Sequence, residues 1–203
     1  MLKSKMLKSY RVIVFDLDNT LYDENEYLFA AYADIGCYVA RKIGGKAFEY
    51  ETFLIHTFQK EGRYNLFDKF ICNFCLTGII TKEELLNILR SNDKTLHVYE
   101  NLKMLLSDLL LIEQHRVYIL TNGNVLQQRN KIANLDIPDL LLNIRVIYAD
   151  DYIPKPSPFC LNEIIRNEEI NTKDIVFIGD SKIDEEAAKA AKIDYINIYD
   201  YRI

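Results

Sequence analysis

Arg11-Val12-Ile13-Val14-Phe15-Asp16-Leu17-Asp18-Asn19-Thr20 is the stretch that decides how this chain folds. Its four consecutive apolar residues, mostly β-branched, leave no alternate polar position for water, so the run suits a strand buried on both faces of a parallel sheet. It breaks off into acidic and turn-forming residues. Ligands of open α/β sheets sit beyond the carboxyl ends of the strands, so the same ten residues offer a core strand and the start of a site. Four more runs share the pattern: Arg116 to Leu120, Ile144 to Tyr148, Asp174 to Ile178 and Tyr195 to Tyr199. Asn101 to Ile112, Asn124 to Leu135, Pro158 to Arg166 and Lys182 to Ala191 read as helices between them. Strand alternating with helix predicts an α/β fold with a Rossmann-like parallel sheet core wound by right-handed crossovers.

The gap between the first two strands breaks this rhythm. Glu24 to Lys42, Lys46 to Lys60, Tyr64 to Leu76 and Lys82 to Arg90 read as amphipathic helices, separated by Gly44-Gly45, Gly62 and Gly78. Thr81 and Glu84 have the spacing of a capping box at the start of the last. The expected organisation is an α/β core of residues 10–21 and 97–203, with a helical module of residues 22–96 set into it.

Composition bounds what such a chain can do. At ~150 residues per domain, 203 residues make between one and two domains. With 49% hydrophobic and 27% charged residues the chain has material for a core and is not intrinsically disordered. Thirty acidic residues against 25 basic give a net charge of −5, which argues against a nucleic-acid partner. No run approaches the ~18 apolar residues of a membrane helix, so no membrane partner is expected either. Cys72 and Cys75 form a CxxC, but no second pair completes a zinc site, and Cys72 in its apolar run is expected to pack as a small hydrophobe. Four cysteines without a disulfide framework point to a reducing cytoplasm. Met1 to Lys8 reads as a loose, solvated arm.

The strand ends carry the chemistry. The first leads into Asp16-Leu17-Asp18-Asn19-Thr20 and the second into Thr121-Asn122-Gly123. The third runs through Asp150 and Asp151 to Pro154-Lys155-Pro156, and the fourth ends in Gly179-Asp180-Ser181 with Asp184 beyond. One aspartate after a strand is usually a turn former or helix cap; caps alone do not call for Lys155 and Thr121 at matching strand ends. Asp150 and Asp151 read as loop residues, and His56, His97 and His115 lie outside these motifs. Side chains alternate along an extended chain, so Asp16 and Asp18 are expected to point the same way. Asp180 adds a third carboxylate, a set of hard oxygen donors suited to Mg²⁺. Asp16, Asp18, Asp180 and Asp184 together carry −4, against +3 from Mg²⁺ and Lys155. The deficit favours a protonated Asp18, and hence a general acid.

This order of motifs closely resembles the haloacid dehalogenase-like hydrolase superfamily. Asp16-Leu17-Asp18-Asn19-Thr20 matches its DxDxT motif, Thr121-Asn122-Gly123 its hydroxyl-bearing motif, Lys155-Pro156 its lysine motif and Gly179-Asp180-Ser181-Lys182-Ile183-Asp184 its GDSxxD. Lys192 stands where the family often has glycine closing the last helix. The resemblance implies that the helical module is a type-one cap and that Asp16 is a nucleophile forming an aspartyl-phosphate. It implies that Asp18 is the general acid and base, and that Thr121, the Asn122 backbone N–H and Lys155 hold the phosphoryl oxygens. Mg²⁺ would be held by Asp16, the Asp18 carbonyl and Asp180, with Asp184 orienting the lysine or a water at the metal. Thr20, Gly123 and Ser181 would support these residues. The implied activity is Mg²⁺-dependent hydrolysis of a small phosphorylated metabolite, nucleotide-like or a sugar phosphate. Asn19-Thr20-Leu21-Tyr22-Asp23-Glu24 resembles the branch with pyrimidine 5′-nucleotidases and flavin mononucleotide phosphatases. Tyr22, Asn25, His56 and Arg63 are the candidate substrate selectors. A phosphomutase of the same fold and a catalytically silent binding module are the alternatives. A dehalogenase would have no leaving oxygen for Asp18 to protonate.

Overall fold

Val12–Phe15 (β1) is the middle strand of a five-stranded, wholly parallel sheet in a computed structural model that describes residues 7–201. Its companions are Arg116–Thr121 (β2), Ile144–Tyr148 (β3), Ile175–Gly179 (β4) and Asp194–Asn197 (β5), in the order β3-β2-β1-β4-β5. Val14 lies between Tyr118 and Phe177, and Phe15 between Ile119 and Ile178. β1 and β4 are buried throughout, as is β2 after Arg116. The expected two-sided burial fails for β3 and β5, which are largely half-exposed. Both are edge strands with a neighbour on one side only.

Successive side chains of a strand point to opposite faces. Val12, Val14, Tyr118, Leu120, Ile175 and Phe177 therefore share one face, packed against Cys160, Leu161 and Ile164 of helix Phe159–Asn167 and Ala187, Ala188 and Ala191 of helix Lys182–Ala191. Ile13, Phe15, Val117, Ile119, Val176 and Ile178 form the other face, all of them buried. Helix Glu100–Leu110 lies against β2 and buries Leu102, Leu105, Leu106 and Leu109.

Two further sequence expectations for this unit are corrected. The last strand stops at Asn197, whose Oδ1 accepts the Tyr199 N–H at 2.9 Å and turns the chain into helix Ile198–Tyr201. Leu7, expected in a solvated arm, is fully buried, while residues 1–6 of that arm lie outside the described residues. An aliphatic side chain that can reach the core gains more there than in water.

The chain divides into two units, Glu24–Lys94 and the sheet-bearing unit formed by the chain on either side of it. Glu24–Lys94 is helical: Glu24–Ile43, Ala47–Glu61, Leu66–Asn73 and Lys82–Arg90. Thr81 and Glu84 form the expected capping box. Tyr50, Phe53, Phe70 and Phe74 make an aromatic cluster within this unit, edge-to-face except for the tilted Phe53–Phe70 pair. Cys72 is exposed, against expectation, as are Cys37 and Cys75; only Cys160 is buried among the four. Phe70 is buried on the same helix, and two positions further the side chain has turned to the opposite side. No helix among the described residues is long and apolar enough to cross a membrane.

Candidate active site

The chain leaves β1 for β2 on one flank and reaches β4 on the other, so the strand order reverses at the centre of the sheet. That reversal opens a crevice at the carboxyl ends of β1 and β4. Asp16 follows β1 directly and its N–H donates to the Ile178 carbonyl at 2.8 Å, continuing the ladder by one bond. Asp180 follows β4.

Lys155 joins three strand ends. Its Nζ donates to Asp16 Oδ1 at 2.6 Å, to Asp184 Oδ1 at 2.6 Å and to the Leu120 carbonyl at 3.2 Å, matching three donor hydrogens to three acceptors. The ammonium also lies 5.3 Å from the centre of the Phe177 ring. Asn122 holds the Lys155 backbone from both sides. Its Oδ1 accepts the Lys155 N–H at 3.0 Å and its Nδ2 donates to the Lys155 carbonyl at 2.8 Å. The Gly123 N–H donates to Asp150 Oδ1 at 2.9 Å, so Asp150, read as a loop residue, ties the second strand end to the third. Gly123 has a φ of 113°, a conformation that favours glycine.

Asp184 has two attachments. Oδ1 faces Lys155, and Oδ2 accepts from the Ser181 N–H at 3.2 Å and the Ser181 hydroxyl at 2.7 Å, completing a capping box on helix Lys182–Ala191. Ser181 therefore supports Asp184. Carboxylate oxygens of Asp16, Asp180 and Asp184 lie within 4.8 Å of one another. Two buried carboxylates and one half-buried one, all hard oxygen donors, fit a divalent cation of the Mg²⁺ type.

Asp18 does not belong to that acidic group. Its Oδ1 and Oδ2 accept from Lys131 Nζ at 2.9 and 2.7 Å, Oδ1 from the Tyr22 hydroxyl at 2.6 Å and Oδ2 from Gln128 Nε2 at 3.0 Å. Gln128 Nε2 also reaches Thr121 Oγ1 at 2.8 Å and the Asn122 carbonyl at 2.6 Å. Neither Gln128 nor Lys131 stands out in the sequence. They lie three apart on helix Val125–Ala133, one face of an element that reads as ordinary helix, and both are buried.

The two motif aspartates titrate in opposite directions. Burial pushes Asp16 up to about 7, with the Lys155 ammonium pulling against it and Asp184 adding to it. Burial would raise Asp18 too, but the Lys131 ammonium, helped by hydrogen bonds from Gln128, Lys131 and Tyr22, holds it below the usual carboxylate range. Burial works against the charge on Lys155, yet Asp16 and Asp184 outweigh it and raise the lysine. The charge count that favoured a protonated Asp18 is therefore corrected: it left out Lys131, whose +1 closes the deficit with Asp18 ionised.

Thr20, Thr121 and Lys155 are buried at these strand ends, and Asn122 and Gly123 are half-buried. Of the candidate selectors, Tyr22 is wholly buried and gives its hydroxyl to Asp18. Asn25, His56 and Arg63 belong to the helical unit. Asn25 is half-buried and His56 exposed. Arg63 pairs with Glu24 and lies over the Phe58 ring at 5.9 Å.

A protein from Lactobacillus plantarum provisionally assigned as a phosphoglycolate phosphatase is 20% identical, with a TM-score of 0.60 over 94% of this chain and 86% of its own. YfnB of Bacillus subtilis, provisionally assigned as a HAD-hydrolase and solved with magnesium bound, is 19% identical, with a TM-score of 0.62 over 92% of this chain and 85% of its own. A dehalogenase solved as an intermediate complex is 21% identical, with a TM-score of 0.52 over 93% of this chain and 84% of its own. At these identities the likeness is one of fold. No curated protein matches the chain by sequence. The family model for haloacid dehalogenase-like hydrolases matches residues 10–192, and with that match the chain belongs to the haloacid dehalogenase-like hydrolase family.

Proposed function

We propose that this hydrolase is a Mg²⁺-dependent phosphatase that cleaves a small phosphomonoester through an aspartyl-phosphate on Asp16. The observation that carries the reading is the separation of two carboxylates into two environments. Asp16 sits with Lys155 and the acidic group, and Asp18 sits apart with a lysine of its own. Before cation and phosphate arrive, the two shifts run opposite to the roles of nucleophile and acid, Asp16 raised and Asp18 lowered, so the roles require both ligands in place.

In this reading Asp16 Oδ attacks phosphorus, the bond to the ester oxygen breaks, and that oxygen takes the proton from Asp18. A phosphate dianion arriving beside Asp18 adds negative charge, which favours the proton-bearing form the step requires. Lys155 and the Asn122 N–H hold the equatorial oxygens. Thr121 joins them: its Oγ accepts from Gln128, and its proton, given to the Asn122 carbonyl over a long 3.4 Å, turns to a phosphoryl oxygen. In the second half a water attacks phosphorus and gives its proton to Asp18, and the bond from phosphorus to Asp16 breaks. Asp16, Asp180 and the Asp18 carbonyl would hold the cation, with Asp184 beside them turned to Lys155. Bound there, the cation would neutralise phosphoryl charge and return Asp16 to the ionised form a nucleophile needs. The helical unit is assigned the choice of leaving group as a cap, with Asn25, His56 and Arg63 as the residues to substitute. Exposed thiols at Cys37, Cys72 and Cys75 suit a reducing cytoplasm as the place of action.

Phosphate release from p-nitrophenyl phosphate, nucleoside monophosphates and sugar phosphates tests the reading. The expected result is turnover with Mg²⁺, none with EDTA, and none in Asp16→Asn. Inactivity across the panel favours a silent binding module, return of the phosphoryl group to substrate a mutase, and halide release from 2-haloacids a dehalogenase.

A further inference from the structure

We infer that Lys131 and Gln128 are positioning residues that fix the Asp18 carboxylate for proton transfer to the leaving oxygen, an inference that rests on the phosphatase reading above. Asp18 follows the strand end and precedes Asn19, which is in the left-handed conformation at φ 57°. Side-chain rotation there would move both oxygens. Both are held: Oδ1 by Lys131 and Tyr22, Oδ2 by Lys131 and Gln128, all at 3.0 Å or less. Proton transfer requires the acid within hydrogen-bonding reach of its target, and a loosely oriented carboxyl loses most of that advantage.

Stability does not account for this pair of residues. Lys131 is 1% exposed, so its charge is almost completely desolvated. Apolar residues in place of a buried ion pair are often neutral or stabilising. Gln128 Oε1 is buried without a hydrogen-bond partner, a penalty that methionine at the same position would not carry. Nor do they serve the acidic group, which has its own lysine in Lys155. What Lys131 and Gln128 share is Asp18.

The leaving group separates this role from a merely structural one. p-Nitrophenolate departs as a stable anion and needs little protonation, whereas the alkoxide of glycerol phosphate needs an acid. The experiment compares kcat/KM for both esters, with Mg²⁺, in the unaltered protein, Lys131→Met, Lys131→Arg and Gln128→Met. In Lys131→Met, glycerol phosphate is expected to lose about a hundredfold, and p-nitrophenyl phosphate about tenfold less than that, since general acid catalysis contributes on that scale. Lys131→Arg should recover most of the difference, and Gln128→Met should show the same bias at smaller size. Equal losses on the two esters, or no loss, overturn the inference while leaving the phosphatase reading intact. If Lys131→Met does not fold, Gln128→Met and Lys131→Arg decide by the same comparison. With no turnover of either ester by the unaltered protein there is no proton transfer for Lys131 and Gln128 to serve, which overturns the positioning role. The phosphatase reading falls only if nucleoside monophosphates and sugar phosphates are inert as well.

Discussion

Gly179 has no side chain because Asp184 occupies the space. A Cβ built there would stand 2.6 Å from Asp184 Oδ2, 2.7 Å from its Cβ and 2.8 Å from its Cγ, and the last two are not the far end of the side chain. Gly179→Ala must displace the carboxylate that Lys155 and Ser181 hold, and is expected to lower stability by about 1–3 kcal/mol. Denaturant unfolding measures that loss, and turnover is expected to fall in the same variant. Asn122→Ala removes both hydrogen bonds to the Lys155 backbone and leaves two groups unpaired, a loss of about 1–3 kcal/mol by the same measurement. At this scale the motif residues are legible, because acidic, hydroxyl and lysine side chains at strand ends are chemically conspicuous. Lys131 and Gln128 are not. A lysine and a glutamine in a helix read as solvated surface until the fold turns them under Asp18.

Helix Lys82–Arg90 shows a local signal read correctly from four residues. Thr81 Oγ1 accepts the Glu84 N–H at 3.2 Å and Glu84 Oε2 accepts the Thr81 N–H at 2.6 Å. Thr81→Ala is expected to cost about 1 kcal/mol of stability, read from the denaturant midpoint, with turnover unchanged. A hydrogen bond from Lys42, with others from Tyr38 and Thr81, holds the Glu84 carboxyl well below its usual range. A lowered carboxyl stabilises the fold above its unfolded value of about 4.3 and loses that contribution as pH falls through and beneath it. The midpoint difference between the unaltered protein and Glu84→Gln should therefore shrink as pH is taken from about 6 towards 3. Most helices and the central strands fall within a residue or two of their sequence-read bounds, because periodicity and caps are local; Tyr64 to Leu76 shortens to Leu66–Asn73, and helix Pro138–Leu141 has no counterpart in the sequence reading. Of the strand errors, one needs information from elsewhere in the chain and one rests on a local turn. Exposure of β3 and β5 depends on strand order, and the turn to helix at Ile198 depends on one Asn197 hydrogen bond.

The whole chain carries −5, and three of its carboxylates are gathered in one group. Like charges that close repel until a cation joins them. Mg²⁺ is expected to raise the melting temperature, by the equivalent of about 2.7 kcal/mol at a hundredfold excess over Kd. Asp180→Asn should raise the metal-free melting temperature slightly and abolish the Mg²⁺ response. No rise in the unaltered protein would place the cation elsewhere. The fold class was open to reading from five apolar runs and the helices between them, since each run had to be buried. The charge balance of the site was not, because Lys131 comes to Asp18 from 113 residues away. In the proposed mechanism Asp16 carries the phosphoryl group during turnover. Acid-quenching the protein within its first turnovers of a hydrolysed ester, and weighing the peptide that contains Asp16, tests it most directly. A phosphorylated Asp16 is expected, appearing with substrate and Mg²⁺ and decaying as phosphate is released. Steady phosphate release with no phosphoryl group on that peptide at any time would contradict it.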